Sequence, residues 1–586
     1  MSDARLKAPR KSHAKGTPRG TQKAAGTTAS EPGTRWWIYA IAAAAALYLA
    51  FQVYAPALSG PFVFDDNSQP YHTQDYPTAL RAWIGGVRPV LMFSYWANYQ
   101  FSQAAFGFHV VNLLLHLLNS LLIFVIIRKL LRIALSSFDW LLPAFAAAVF
   151  LLHPIQTEAV SYIAGRSEAL SVFFFLAAFT VFLYRRSPAV SWQVAMAVLV
   201  MFGAAAMSKE HTLVFPALLL LTDYYWNPGF SFTGIRRNWR LYVPMAMGAV
   251  VGLAFVARIL GRTSSAGFGI KDFTWYQYLF TQCRAFFLYL RLLVLPAGQN
   301  LDWEYPISQN ILDHGAIFGL AAILLLVAAA IYFRRRYPLA SYGFLVYVLL
   351  MAPTSSFVPI KDPVAERRLY LPLIGILLVL IAALARIRVD RRKLAAALCG
   401  IVAVLAVLTY RRNELWASDI AIWEDAVRNS PGKQRVHFQL AHTYYTNGRC
   451  LDAITQFQEA ARVRAPDYGL LADWGLAYDC ADQPDAAVAK LRQAAALDPK
   501  AHVYSQIAMV YAKRSHWPEA LDALARAEKL DPTYSVTYYY RGGIRAKTGD
   551  FAGAVADYQH ALALDPALQP ARDGLAYAQQ HLRAPR

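Results

Sequence analysis

Charge is scarce in this chain. Asp, Glu, Lys and Arg supply 16% of 586 residues while apolar residues reach 57%, a balance that excludes a purely soluble fold of this length. Cysteine is scarcer: four residues exclude a disulfide framework. No Gly-rich phosphate loop, His-Glu-x-x-His run or Cys-x-x-Cys pair occurs, which removes nucleotide hydrolysis and zinc proteolysis from the candidate chemistries. Residues 1–35 have few large apolar groups and many Lys, Arg, Gly, Ser and Thr, and are expected to form a disordered basic cytoplasmic tail. No small-residue cleavage site follows the first apolar run, so that run reads as an anchor and not as a cleaved signal.

What is abundant is long apolar sequence. Runs at 36–54, 110–127 and 316–333 approach the roughly 20 residues that cross a bilayer as a helix. From Asn413 onward 19 Lys and Arg face 20 Asp and Glu, so the formal charge of +20 belongs to the part before it and bears on topology, not on nucleic acid. Basic clusters at Arg128-Lys129, Arg185-Arg186, Arg236-Arg237, Arg334-Arg335-Arg336 and 386–393 mark cytoplasmic loops by the positive-inside rule. Eleven spans respect them, near 36–54, 109–127, 140–152, 169–184, 191–207, 211–225, 241–260, 314–333, 339–352, 370–385 and 394–410. The N-terminus is then inside and the C-terminus outside. The stretch 276–295, interrupted by Gln282, Arg284 and Arg291, reads as an interfacial or re-entrant helix.

A repeat occupies the C-terminal part. Pro431, Pro466, Pro499, Pro532 and Pro566 recur at the 33–35-residue period of a tetratricopeptide repeat. Ala441, Gly475, Ala508 and Gly542 mark the close approach within each helix pair, and Ala453, Ala487, Ala520 and Ala554 follow twelve residues later. Tyr444, Tyr478 and Tyr511 fill an aromatic slot that Arg545 takes in the last repeat. A capping helix is expected from about Leu568. Cys450 should start the second helix of repeat one and Cys480 end the first helix of repeat two; a disulfide between them would fit an oxidising compartment. The concave face of such an array suits a peptide or protein partner.

Candidate chemistry lies at the outer face. Phe62-Val63-Phe64-Asp65-Asp66 follows the first span, and two adjacent carboxylates at a membrane surface suit a general base or a divalent-cation ligand. In the segment from His153 to Glu168, Glu158 is placed to orient an acceptor and Arg166 to bind a phosphate. Lys209-Glu210, Asp302, Glu304 and Glu366-Arg367-Arg368 add to an acid-and-arginine pocket open to one side, with Arg367 and Arg368 where a lipid phosphate would sit. His109, Asn112 and His116 share one helix face, which suits interhelical hydrogen bonding or a metal.

These motifs, with Arg88-Pro89-Val90 and Leu369-Tyr370-Leu371-Pro372, stand in an order that resembles the transmembrane and tetratricopeptide-repeat O-mannosyltransferase family over nearly the whole chain after the basic tail. The Ala- and Arg-rich composition and the small number of repeats point to a bacterial member. The resemblance implies an all-α, polytopic type C glycosyltransferase fold of about eleven transmembrane helices over 36–412, followed by a tetratricopeptide-repeat α-solenoid over 413–586.

It further implies transfer of a monosaccharide from a polyprenyl-phosphate carrier to a Ser/Thr hydroxyl on the non-cytoplasmic face, in the bacterial inner membrane with the repeats periplasmic. Asp65 or Asp66 would then serve as base, and Arg367, Arg368 and Arg166 would hold the donor phosphate. His153, Glu158, Lys209, Glu210, Asp302 and Glu366 would orient the acceptor, a polypeptide held by the repeats. A glycolipid acceptor and a membrane-anchored scaffold are the alternatives. A scaffold has no need of charged groups set in lipid, where each is costly, and a transporter would show internal duplication of its spans, which this chain does not.

Overall fold

The computed structural model describes residues 36–73, 76–137, 139–260 and 266–583; the expected tail 1–35 lies outside them. Among the described residues the chain is helical, with one isolated bridge between Ala266 and Ile360. It divides at Tyr48 into two units, and the described residues of the first are the opening turns of the helix Trp36–Leu58.

Among the described residues four helices are long and apolar enough to cross a membrane: Ala105–Leu135, Ile163–Leu183, Asp313–Arg335 and Arg391–Trp416. A fifth crossing arises if Leu141–Leu152 and Pro154–Val160, bent by 51°, form one broken span. The break falls at Pro154, which has no N–H to continue the helix and pushes His153 into extended backbone. Each of the eleven expected segments falls on a helix. Several are short: Trp192–Ala206, Pro338–Met351 and Leu373–Leu384 have 15, 14 and 12 residues. At 1.5 Å per residue such helices reach about 18–22 Å, less than the roughly 30 Å hydrocarbon core.

The apolar core of this part is built from facing helix stripes, with Ile123, Ile126, Phe150, Phe179, Leu219 and Ile381 among its buried residues. Pro338–Met351 and Leu373–Leu384 cross where both lack a side chain: a Cβ on Gly343 would meet the Gly375 carbonyl oxygen at 2.7 Å, and one on Gly375 would meet the Tyr347 nitrogen at 2.5 Å. Small residues at such crossings let membrane helices pack backbone to backbone. The stretch expected to be interfacial forms the helix Trp275–Val294. One face buries Tyr278, Gln282, Phe286 and Tyr289, while Trp275 and Val294 are exposed.

Helix Arg391–Trp416 runs through the boundary expected at 412/413, and the next helix, Asp419–Asn429, starts behind a Ser418 cap. Residues Leu49–Arg586 form one compact unit across this junction. Four helix pairs follow, beginning with Gln434–Thr446 and Cys450–Val463 and ending with Ser535–Lys547 and Phe551–Leu564, then the closing helix Gln569–Arg583. Ala441, Ala453, Ala487, Ala508, Ala520 and Ala554 are fully buried at the helix contacts, and a Cβ on Gly475 would meet Leu491 Cγ at 2.7 Å. Cys450 opens its helix, Cys480 closes Tyr468–Cys480, and the two form a disulfide with Cα atoms 5.8 Å apart.

The Gly343–Gly375 crossing can be tested by overpacking. Gly375→Leu should destabilise the detergent-solubilised protein by at least about 1–3 kcal/mol, lowering its melting temperature. Gly400→Leu, where nothing lies within 4 Å of the new Cβ, should melt like wild type. Equal melting of the two variants would remove the crossing from the account.

Candidate functional site

Asp65 and Asp66 lie in a single 3-10 turn, Phe64–Ser68, directly after the first apolar helix. Adjacent residues of a tight turn point apart, and the two carboxylates have different surroundings. Asp66 is fully buried: one oxygen accepts from Tyr71 Oη at 2.9 Å and the Ala164 amide at 2.8 Å, the other from the Val63 amide at 3.1 Å. Burial lifts its carboxyl to about 7, against the pull of those three donors. Asp65 is exposed, its amide donates to Tyr162 Oη at 2.9 Å, its carboxylate couples to the same hydroxyl, and no ion pair to it occurs among the described residues. The pair does not fit a shared divalent cation, because Asp66 has engaged both oxygens, with Tyr71 Oη and the amides of Val63 and Ala164. Among the described residues no group of three His, Cys, Asp or Glu side chains could hold a metal ion.

Behind this turn lie three cations, each with a carboxylate. Arg367 pairs with Glu158 through its guanidinium, and its amide donates to the other Glu158 oxygen at 2.8 Å. Lys209 pairs with Glu168 and donates to Ser167 Oγ at 3.2 Å. Arg88 forks onto Glu210 with Nε–Oε1 and Nη2–Oε2 distances of 2.9 and 2.8 Å. Lys209 lies within electrostatic reach of both Arg88 and Arg367, and Tyr162 within reach of both Asp65 and Arg367. Arg88, Arg367 and Lys209 keep 40%, 25% and 16% of their side chains exposed, enough to meet a ligand. His211, with both ring nitrogens lacking a hydrogen-bond partner, sits 3.6 Å from Glu168.

Other expected site residues lie elsewhere. Arg166 is fully buried and spends its guanidinium on Asn112, Asn98 and the carbonyls of Ser94 and Phe108; it braces helices and cannot hold a donor phosphate. Arg368 points away from Arg367, donating to the carbonyls of Pro363 and Asp362 and to Tyr278 Oη. His153 caps the turn after it and contacts the Leu293 carbonyl at 3.0 Å. Glu366 is buried, accepting from Gln299 Nε2 at 2.7 Å and the Asn300 amide at 2.5 Å. Asp302 meets Lys433 and Arg435 of the repeats. These three carry structure, not an acceptor. His109 and His116 bond to Gly60, Leu151 and Tyr370, the interhelical role open to that helix face. Arg88, His211 and Tyr162 received no role from the sequence; Arg88 stood in a quoted motif, but its partner is 122 residues away.

No protein-family model matches the chain. It is similar to curated protein O-mannosyl-transferases: one of Caenorhabditis elegans, 24% identical over 64% of this chain and 53% of that protein; TMTC3 of Mus musculus, 25% identical over 82% and 57%; and TMTC4 of Homo sapiens, 25% identical over 70% and 64%. The chain thus spans little more than half the length of the first two. Among solved structures it is similar to MamA, 21% identical with a TM-score of 0.24 over 27% of this chain and 91% of that one. YrrB, titled as a TPR protein with an unusual peptide-binding site, is 22% identical with a TM-score of 0.23 over 29% and 88%.

Glu366 generates a pH prediction. Burial first, and then the neighbouring Glu158 charge, raise its carboxyl from 4.5 to about 7 against Arg412 and two donors. The folded chain therefore holds this proton more tightly than the unfolded one. The stabilisation is fully present below about pH 4.5 and is lost as pH rises to 7, a swing of about 3 kcal/mol. Over that window the wild-type melting temperature should fall more than that of Glu366→Gln; parallel profiles would remove Glu366 as the source.

Proposed function

We propose that this chain is an integral membrane glycosyltransferase that moves a monosaccharide, mannose by similarity to its relatives, from a polyprenyl-phosphate carrier to a Ser/Thr hydroxyl of a polypeptide. The observation that carries this reading is the exposed Asp65 carboxylate, in no ion pair among the described residues, beside three paired but accessible cations. On this reading the chain crosses the membrane eleven times, the short helices being completed by broken or polar ends that line the site. The loops with Asp65 and the repeats then face the periplasm of a bacterial cell, an oxidising compartment that suits the Cys450–Cys480 disulfide.

The chemistry is a single inverting displacement. Asp65 takes the proton of the acceptor hydroxyl as its oxygen attacks the anomeric carbon from the face opposite the phosphate. The bond from that carbon to the phosphate oxygen breaks, and its electron pair leaves with the phosphate. The donor is a phosphodiester with one negative charge; the departing polyprenyl phosphate is a monoester with two. Arg367, Lys209 and Arg88 stabilise the charge that develops, and because their carboxylate partners already hold them in place little reorganisation is needed. Asp66 acts earlier in the chain of causes: it fixes the turn that presents Asp65.

Purified protein supplied with radiolabelled polyprenyl-phosphate mannose and a Ser/Thr-rich acceptor tests this. Asp65→Asn should lower turnover by about 10²–10⁴ with melting unchanged, whereas Arg367→Ala should lower both turnover and stability because it strands Glu158. Wild-type turnover in Asp65→Asn would overturn the assignment of the base. Absence of turnover from any lipid-linked sugar would overturn the transferase.

A further inference from the structure

The first helices of the four repeats, Gln434–Thr446, Tyr468–Cys480, Ala501–Lys513 and Ser535–Lys547, touch one another in succession and form one layer of the array. Their side chains meet across that layer. Asp473 lies within electrostatic reach of His442 on the preceding helix and His502 on the following one. His502 Nδ1 is 3.1 Å from Tyr468 Oη, and its Nε2 is 3.2 Å from Gln506 Nε2. Aromatic groups flank this centre: Phe438 against His442, Tyr534 against His502, and Tyr540 with its hydroxyl on the Met509 sulfur.

Two acceptors at this centre are unspent. The Asp473 carboxylate has neighbours that act on it by charge but no hydrogen-bond donor among the described residues. Gln506 is 8% exposed, and its Oε1 has no partner. The part-exposed Asp473 carboxylate can take a donor arriving from outside, whereas Gln506 Oε1 is closed to solvent. Burial also pushes the His502 imidazole below its ordinary range, so near neutral pH it does not neutralise Asp473.

We propose that this face binds an extended polypeptide segment through a Lys or Arg side chain, whose donors meet the part-exposed Asp473 carboxylate while the flanking residues lie over Phe438, His442, Tyr534 and Tyr540. Charge complementarity selects the occupant: a cation gains a charge-assisted hydrogen bond in a half-buried setting, aromatic faces favour it further, and an acidic segment is repelled. That this segment is the sugar acceptor rests on the transferase reading; the binding does not. On both together, modified hydroxyls lie on segments that carry a basic residue.

The test is fluorescence anisotropy on the full-length protein in nanodiscs, with labelled Ser/Thr-rich peptides identical except for one central Lys, Ala or Glu. The Lys peptide should bind at least about tenfold more tightly than the Glu peptide. Asp473→Asn should shrink that ratio to about twofold or less, and Asp473→Lys should reverse it. Asp65→Asn should leave the ratio unchanged. Equal binding of the three peptides, or a wild-type ratio in both Asp473 variants, would overturn the proposal. Discrimination without sugar transfer would uphold this surface and overturn the transferase; transfer without discrimination would do the reverse.

Discussion

The constraint on which the rest depends is the grip of the first repeat on the acidic turn. Arg435 sits 5.5 Å from the centre of the Phe64 ring, and Trp423 packs edge-on against the same ring at 5.5 Å. Phe64 itself has φ of 52°, a left-handed conformation that a bulky side chain adopts only when its surroundings hold it there. The next residue is Asp65. Arg435 is held in turn by Asp302, with Nε–Oδ2 at 2.6 Å, and by Asp362 at 2.7 Å, while Lys433 reaches Asp302 at 2.5 Å. The loops that carry Asp302 and Asp362 and the first repeat therefore share one ion cluster, and the residue before Asp65 is seated on it.

The same junction explains why the repeats are not a tethered arm. One apolar core runs from Val63, Tyr162 and Leu301 through Trp416 and Trp423 into Leu440, Phe457 and the later repeats. Around it polar groups are matched: Ser430 Oγ accepts from Asn300 Nδ2 at 2.6 Å and the Glu304 amide at 2.8 Å, and Arg412 meets Asp425 at 2.6 Å. Buried ion pairs contribute little net stability, but removing one partner strands the other at about 3–5 kcal/mol. Such contacts specify one docking geometry more than they strengthen it.

Which parts were legible in the sequence follows from how local each signal is. The repeat register was legible because prolines and small residues recur in phase from one helix pair to the next, and the disulfide because its two cysteines fall at facing helix ends of successive pairs. The Asp65-Asp66 run was legible because adjacent carboxylates beside an apolar run stand out. Their division of labour was not, since it depends on Tyr71 and on the amide of Ala164, which lies 98 residues away. Arg166 misled for the same reason: an arginine at the start of a helix resembles an anion ligand, and only the fold shows Asn98 and Asn112 waiting for it. The cation set was half visible. Arg367 and Lys209 stood in acid-and-base runs, whereas Arg88 had no charged neighbour in sequence to mark it.

The pairing of each cation with a carboxylate bears on how a transferase at this site would turn over. A bare cluster of three cations in a low-dielectric pocket would bind a dianionic phosphate so tightly that the leaving group would inhibit the enzyme. Here Glu158, Glu168 and Glu210 offset the three charges. The field on a bound phosphate is then set by oriented dipoles and partly neutralised cations, strong enough to stabilise charge as it develops but not to trap the product. Asp65 must stand outside this balance, because a base already paired with a cation would have lost its affinity for a proton. Its isolation and the pairing of every cation nearby are thus two sides of one requirement, and the seat of Phe64 against Arg435 and Trp423 maintains the separation.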